Sequence, residues 1–141
     1  MTTTEKTLIT IEARVKGSPE KIWKTWTTPA DVVQWNTADP SWHTPRAEND
    51  LRTGGTFLYR MEAKDGSFGF DFGGTYDAVT PHTYIEYTMG DGRNVKNHFT
   101  ADGDQVHILI HFEAEDQNPI DMQKAGWQSI LDSFKKYTES H

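Results

Sequence analysis

Three tyrosines and an asparagine, Tyr59, Tyr76, Tyr87 and Asn97, carry the chemistry that this sequence offers most plainly. Each sits at an alternating apolar position of a β-like segment, on the same side as Phe57, Phe72, Ile85 and Phe99. Phenol and carboxamide groups donate and accept hydrogen bonds without titrating near neutral pH. Such groups orient a mostly apolar small molecule. They do not supply the acid or base, poised near neutrality, that proton-transfer catalysis needs. The competing reading is that the four groups bond to one another or to water at the rim of a sheet.

Other residues of reactive type are weaker candidates. His98, His107 and His111 alternate onto the opposite side, with His98 expected across from His107. His107 and His111 are four residues apart on one strand, roughly 13 Å, so they cannot share an ion, and a zinc site wants three or four converging ligands. A solvated surface is the favoured reading, and no metal or cofactor is expected. Trp35, Trp42 and His43 lie in or beside a loop-like stretch from Asn36 to Pro45, where they are placed at the mouth of a cavity or, alternatively, as a cap on a small core. Gly54-Gly55 and Gly73-Gly74 do not open a helix and lack a following Lys-Ser/Thr, so they are read as bends in strands rather than as phosphate loops.

The elements that must position these residues follow from periodicity. LITIEARV alternates Ile9, Ile11, Ala13 and Val15 against polar residues, a half-buried strand. Ser18-Pro19-Glu20 and Thr28-Pro29-Ala30-Asp31 each start a short helix, the first with Ile22, Trp23 and Trp26, the second with Val32, Val33 and Trp35. Strands follow, separated by turns at KDG, VTPH, GDGR and ADGD. The last element is a helix from about Pro119 to Tyr137, with Asn118 as N-cap and Ile120, Trp127, Ile130, Leu131, Phe134 and Tyr137 on one stripe. Gly126 inside that helix suggests something packed close to the backbone.

Hairpin registers test whether the strands agree on a face. The first turn pairs Tyr59 with Phe72, Met61 with Phe70, Phe57 with Gly74 and Arg60 with Asp71. The second pairs Tyr76 with Ile85 and Gly74 with Tyr87; the third, Tyr87 with Asn97 and Ile85 with Phe99; the fourth, Asn97 with Ile108 and Phe99 with Val106. All put one set inward: Phe57, Tyr59, Met61, Phe70, Phe72, Tyr76, Ile85, Tyr87, Met89, Val95, Asn97, Phe99, Val106, Ile108, Ile110 and Phe112. That face has no ionisable acid, base or cation, and the last helix is its natural cover. The ligand-binding set expected where the two fail to touch is Tyr59, Phe70, Phe72, Tyr76, Tyr87, Asn97, Ile108, Trp127 and Leu131.

Composition sets the outer limits. At 141 residues the chain fits one domain, read as residues 1–141. Its aromatic rings, five Trp, five Tyr and seven Phe, are concentrated around one core. A net charge of −7 with no basic stripe disfavours nucleic acid and anionic membranes. The absence of cysteine removes disulfides and thiol chemistry and fits a cytoplasmic setting. No apolar run approaches a membrane span. Oligomeric state is left as monomer or homodimer, the latter through an outer face bearing Leu58 and Leu109.

Four segments, SPEKIWKTWTTPADVVQW, DLRTGGTFLYRMEAKDG, GGTYDAVTPHTYIEYTMGDGR and AGWQSILDSFKKY, together resemble the START-like, helix-grip superfamily. Within it the chain is similar to small bacterial proteins related to the C-terminal domain of the activator of the ninety-kilodalton heat-shock-protein ATPase. The resemblance implies an α+β fold: a strand, two short helices, six further antiparallel strands, and a long C-terminal helix gripped by the curved sheet. It also implies a cavity between sheet and helix, and a range of activities that spans lipid carriers, hormone receptors, polyketide cyclases and co-chaperone domains linked to the stress response. Fold alone does not choose among them. The related eukaryotic co-chaperones carry an extra N-terminal domain for which this chain is expected to have no room. The expectation is therefore binding of a small apolar molecule, leaning away from catalysis. A cyclase-like or hydrolase-like enzyme using His43 or Glu48 with Tyr59 or Tyr87 stands second, and a module that binds a chaperone third.

Overall fold

Alternation of apolar and polar residues makes strands only where one face can be buried, and here seven segments meet that condition in one sheet. In a computed structural model, residues 7–37 and 39–141 are described. The order of elements is β1 (Leu8–Lys16), α1 (Pro19–Thr27), α2 (Pro29–Trp35), β2 (Trp42–Asn49), β3 (Thr56–Ala63), β4 (Gly69–Thr80), β5 (Tyr84–Met89), β6 (Asn94–Asp102), β7 (Gln105–Glu113) and α3 (Ile120–Ser140). The strands form a curved antiparallel half-barrel in the order β1-β7-β6-β5-β4-β3-β2, with α3 against its concave face. This is the helix-grip arrangement.

The cap of α1 is as expected, Ser18 Oγ accepting from the Lys21 amide at 3.2 Å with Pro19 in the first turn. Trp26 anchors the helices to the core. Its ring lies 5.1 Å from Trp35, 5.5 Å from Phe99 and 4.8 Å from Phe134. Trp35 is buried and donates from Nε1 to the Thr25 carbonyl at 2.9 Å.

Several expectations are corrected. Trp42, His43 and Pro45 belong to β2, an edge strand paired with β3, rather than to a loop. The signal was masked by Pro45, which an edge strand tolerates at an irregularity, and the register does shift between His43 and Arg46. The start of α3 is capped at Pro119, with no side-chain cap, and Asn118 bonds Glu115 instead. Ile120 is exposed rather than on the buried stripe. Gly54-Gly55 form a turn, not a strand bend; the Gly54 amide donates to the Tyr76 carbonyl and the Tyr76 amide to Gly55.

The first hairpin has the expected register throughout. The others slip by two residues: Tyr76 pairs with Tyr87, Tyr87 with Val95, Asn97 with Ile110 and Phe99 with Ile108. In β4 an irregularity between Tyr76 and Ala78 and a turn through His82, at φ 69°, account for the second slip. Because side chains alternate with period two, an even slip changes partners without changing faces. The inner set therefore stays buried or half-buried, except for Phe70, which is exposed at the sheet's end.

β1 is the other edge strand, and α3 covers its free side. Gln128 Nε2 donates to the Glu12 carbonyl at 3.1 Å, Lys135 Nζ to the Arg14 carbonyl at 2.6 Å, and the Lys16 amide to Glu139 Oε2 at 3.0 Å. Residues 12, 14 and 16 turn the same side outward, so these contacts close an edge that would otherwise pair with another chain. No helix among the described residues is long and apolar enough to cross a membrane.

On the convex face His98 stands opposite Leu109, not His107, with its ring 4.9 Å from Tyr84 and 5.7 Å from His111. His107 reaches Glu12 at 3.1 Å. Among the described residues no three His, Asp or Glu side chains converge as metal ligands would. Burial holds the His98 imidazole below its ordinary value of 6.5, with the nearby charges of His111 and Lys96 acting the same way. The unfolded chain therefore binds this proton more readily, and stability present above that value is lost as pH falls through it towards the depressed folded value. Urea midpoints should fall between pH 7.5 and 5.5, and His98→Gln should flatten that fall; equal losses in both proteins would exclude His98 as its source.

Candidate ligand cavity

The concave sheet and α3 do not meet everywhere. Between them lies a hollow of about 940 Å³, within the range that holds a drug-sized molecule. Its wall is an aromatic box. Phe57 has its ring 5.1 Å from Tyr59, 5.7 Å from Phe72, 5.3 Å from Tyr76 and 4.7 Å from Tyr87. From the helix side Trp127 stacks on Phe112 at 3.9 Å and meets the Phe72 ring edge-on at 5.9 Å. Met61, Ile85, Ile110, Ile130 and Leu131 complete the apolar lining.

The polar groups of the wall divide into two kinds. Tyr76 donates to Asn49 Oδ1 at 2.6 Å, and Asn49 Nδ2 donates to the Thr27 carbonyl at 2.7 Å. This chain ties β4, β2 and the end of α1 together. The Tyr87 hydroxyl, by contrast, has no hydrogen-bond partner among the described residues, although its ring is buried. Asn97 donates from Nδ2 to the Ile85 carbonyl at 3.1 Å, while nothing described donates to its Oδ1. Burial pushes the phenols of Tyr59, Tyr76 and Tyr87 well above the usual tyrosine range. They remain protonated donors across the physiological range and are not bases.

Of the expected binding residues, Tyr59, Phe72, Tyr76, Tyr87, Asn97, Trp127 and Leu131 line the hollow together, and Trp35 joins them from α2. Phe70 touches only the rim and leans on Trp42 and Phe68 at 6.0 and 6.2 Å. Ile108 is core, fully buried on β7 beside Phe99 and Ala13, and does not reach the lining. Trp42 and His43 also lie outside it: Trp42 packs on Phe68 at 5.9 Å, and His43 faces Glu62 at 3.9 Å. Glu48, an exposed residue of β2, does reach the lining.

The sequence reading missed the rim. Asp91, Arg93, Glu115, Asn118 and Gln123 surround the end of the hollow nearest the β5–β6 turn and the start of α3. Gln123 is buried and holds the preceding loop, accepting from the Glu115 amide at 2.9 Å and donating to the carbonyls of Glu115 and Asn118 at 3.1 and 2.8 Å. Its signal was present: Gln123, Trp127 and Leu131 follow one helical stripe, and a polar member of such a stripe has a partner to hold.

Gly126 is corrected too. A Cβ built there meets nothing within 4 Å, so no strand or neighbour requires glycine. Replacing it by alanine should raise stability by about 0.5–1 kcal/mol through helix propensity alone, read from urea denaturation. A loss of stability would mean that the space beside α3 is filled.

The comparisons with known proteins agree with this geometry. A family model described as Activator of Hsp90 ATPase homolog 1-like protein matches residues 16–139. The solution structure of an AHSA1-like protein from Aeromonas hydrophila is 40% identical, covers 95% of this chain and 93% of its own, and superposes with a TM-score of 0.89. A protein from Cytophaga hutchinsonii is 52% identical over 94% of this chain and 92% of its own, with a TM-score of 0.82. A crystal structure from Chromobacterium violaceum, 19% identical over 94% of this chain and 98% of its own, has a TM-score of 0.82 and shares the fold. No curated protein matches the chain.

Proposed function

The chain belongs to the Activator of Hsp90 ATPase homolog 1-like family, and we propose that it binds and carries, or senses, a small and mostly apolar molecule between its sheet and α3. The observation that supports this most is the Tyr87 hydroxyl, which stands in an aromatic wall and has no hydrogen-bond partner among the described residues, although its ring is buried. A hydrogen bond from this hydroxyl to a ligand oxygen would contribute about 0.5–1.5 kcal/mol. The phenols of the aromatic wall stay protonated, which suits them to orient a ligand. Tyr59, Phe72, Tyr76, Asn97, Trp127 and Leu131 would shape the site, and no cofactor is called for.

A second reading, a module that engages a chaperone, draws on the family's printed description and on the exposed rings of Phe68 and Phe70 beside Trp42. Co-purification with the host chaperone separates it from the first.

Native mass spectrometry of protein purified from its own host should show a stoichiometric small-molecule adduct that Ile130→Trp, which fills the hollow, removes. An adduct equally present in that variant, or none in either, would sink the carrier reading. With the fluorescent naphthyl ketone prodan as probe, Tyr87→Phe should weaken binding about fivefold, the equivalent of about 1 kcal/mol for one hydrogen bond. Thermal stability should hardly change, because the lost hydroxyl has no hydrogen-bond partner among the described residues.

A further inference from the structure

At the rim of the hollow one cation is left with donors to spare. Arg93, in the β5–β6 turn, has a side chain only 17% exposed. Its Nε donates to Asp91 Oδ2 at 2.8 Å and its Nη1 to the Glu113 carbonyl at a long 3.4 Å. Nη2 has no partner among the described residues. Guanidinium presents its terminal Nη1–Nη2 edge as a planar fork matched to two oxygens of one anion, and that edge is almost unoccupied here.

The acidic neighbours do not cancel it. Asp91 accepts from the Arg93 amide at 3.1 Å as well as from Nε, so it holds the turn and the near side of the guanidinium. Glu115 is occupied by its own loop, accepting from the amides of Gln117 and Asn118 at 3.2 and 2.7 Å and from Asn118 Nδ2. Inside the rim stands Tyr87, whose phenol feels the positive charge of Arg93 against the upward push of burial. A partly buried charge and an unpartnered phenol donor thus serve one end of a hollow lined further in mostly by aromatic and aliphatic side chains.

We infer that the ligand is a monoanionic amphiphile, whose carboxylate-type or sulfonate-type head docks on the terminal edge of Arg93 and whose apolar body lies among Phe57, Phe72 and Trp127. The inference rests on the carrier reading given above and adds the charge and orientation of what is carried. The head sits at the β5–β6 turn and the body points under α3. This polarity follows because the opposite, inner end is closed by Trp26 and Trp35, which offer no second cation.

The test uses a matched pair of fluorescent probes, anilinonaphthalene sulfonate and the neutral N-phenylnaphthylamine, titrated into the wild-type protein, Arg93→Met, Arg93→Gln and Ile130→Trp. Both Arg93 variants should weaken the sulfonate about tenfold and leave the neutral probe within twofold, and Ile130→Trp should weaken both. Added salt should weaken only the sulfonate, and only with Arg93 present. If either folded Arg93 variant binds the sulfonate as tightly as the wild type, or loses both probes equally, the inference falls while the carrier reading stands. If the wild type binds neither probe, or Ile130→Trp leaves both unaffected, the carrier reading falls and takes the inference with it.

Discussion

The stack of Trp127 on Phe112, centroids 3.9 Å apart and planes within 10° of parallel, sets where the C-terminal helix lies, and the remaining structure is arranged around it. A curved sheet that buries one aromatic face needs a cover, and a helix needs to bury one stripe. Leu131 and Phe134 are fully buried along the same stripe, and Phe134 meets Trp26 and Trp35 from the two short helices. One helix thereby fastens both the sheet and the helical corner. Its polar flank does a different task, closing the open edge of β1 with Gln128, Lys135 and Glu139.

The hollow is a geometric consequence of that seating. Trp127 spans from Phe112 on β7 to Phe72 on β4, so the helix lies along β1 and bridges to the middle of the sheet through this one large ring, with the hollow beside it. A straight helix cannot follow a strongly curved sheet, and the aromatic wall is rigid because each ring is held by several others. The polar groups are graded along it. Tyr76, Asn49 and the Thr27 carbonyl form a closed chain that stiffens the framework, whereas the Tyr87 hydroxyl and the Arg93 edge are left facing the space. Burial makes the phenols weaker acids, which suits them to orient a molecule rather than to transform it.

Much of this was legible from residue order, and the errors are informative. Three of the four hairpin registers slipped by two residues, yet the inner face came out right, because face depends on parity and partner depends on turn geometry. His82 adopts positive φ and Asp77 sits at an irregularity, and neither is forecast by a turn motif such as VTPH. β2 was hidden because edge strands tolerate the proline and polar residues that otherwise signal a loop. Gly126 misled in the other direction, since a glycine that suggests close packing turned out to face open space.

Local alternation and capping residues decided, without any tertiary information, that there would be an aromatic concave face, a helical corner after Ser18 and an amphipathic last helix. Those properties need only the period of the chain and the chemistry of neighbouring residues. The tertiary structure alone decided which tyrosine keeps a free hydroxyl, that Ile108 is core and not wall, and that Arg93 and Gln123 share a rim with Tyr87. These are relations between residues far apart in the chain. They depend on strand register and on the angle at which α3 crosses the sheet, and no local pattern encodes a distance that only the assembled fold creates.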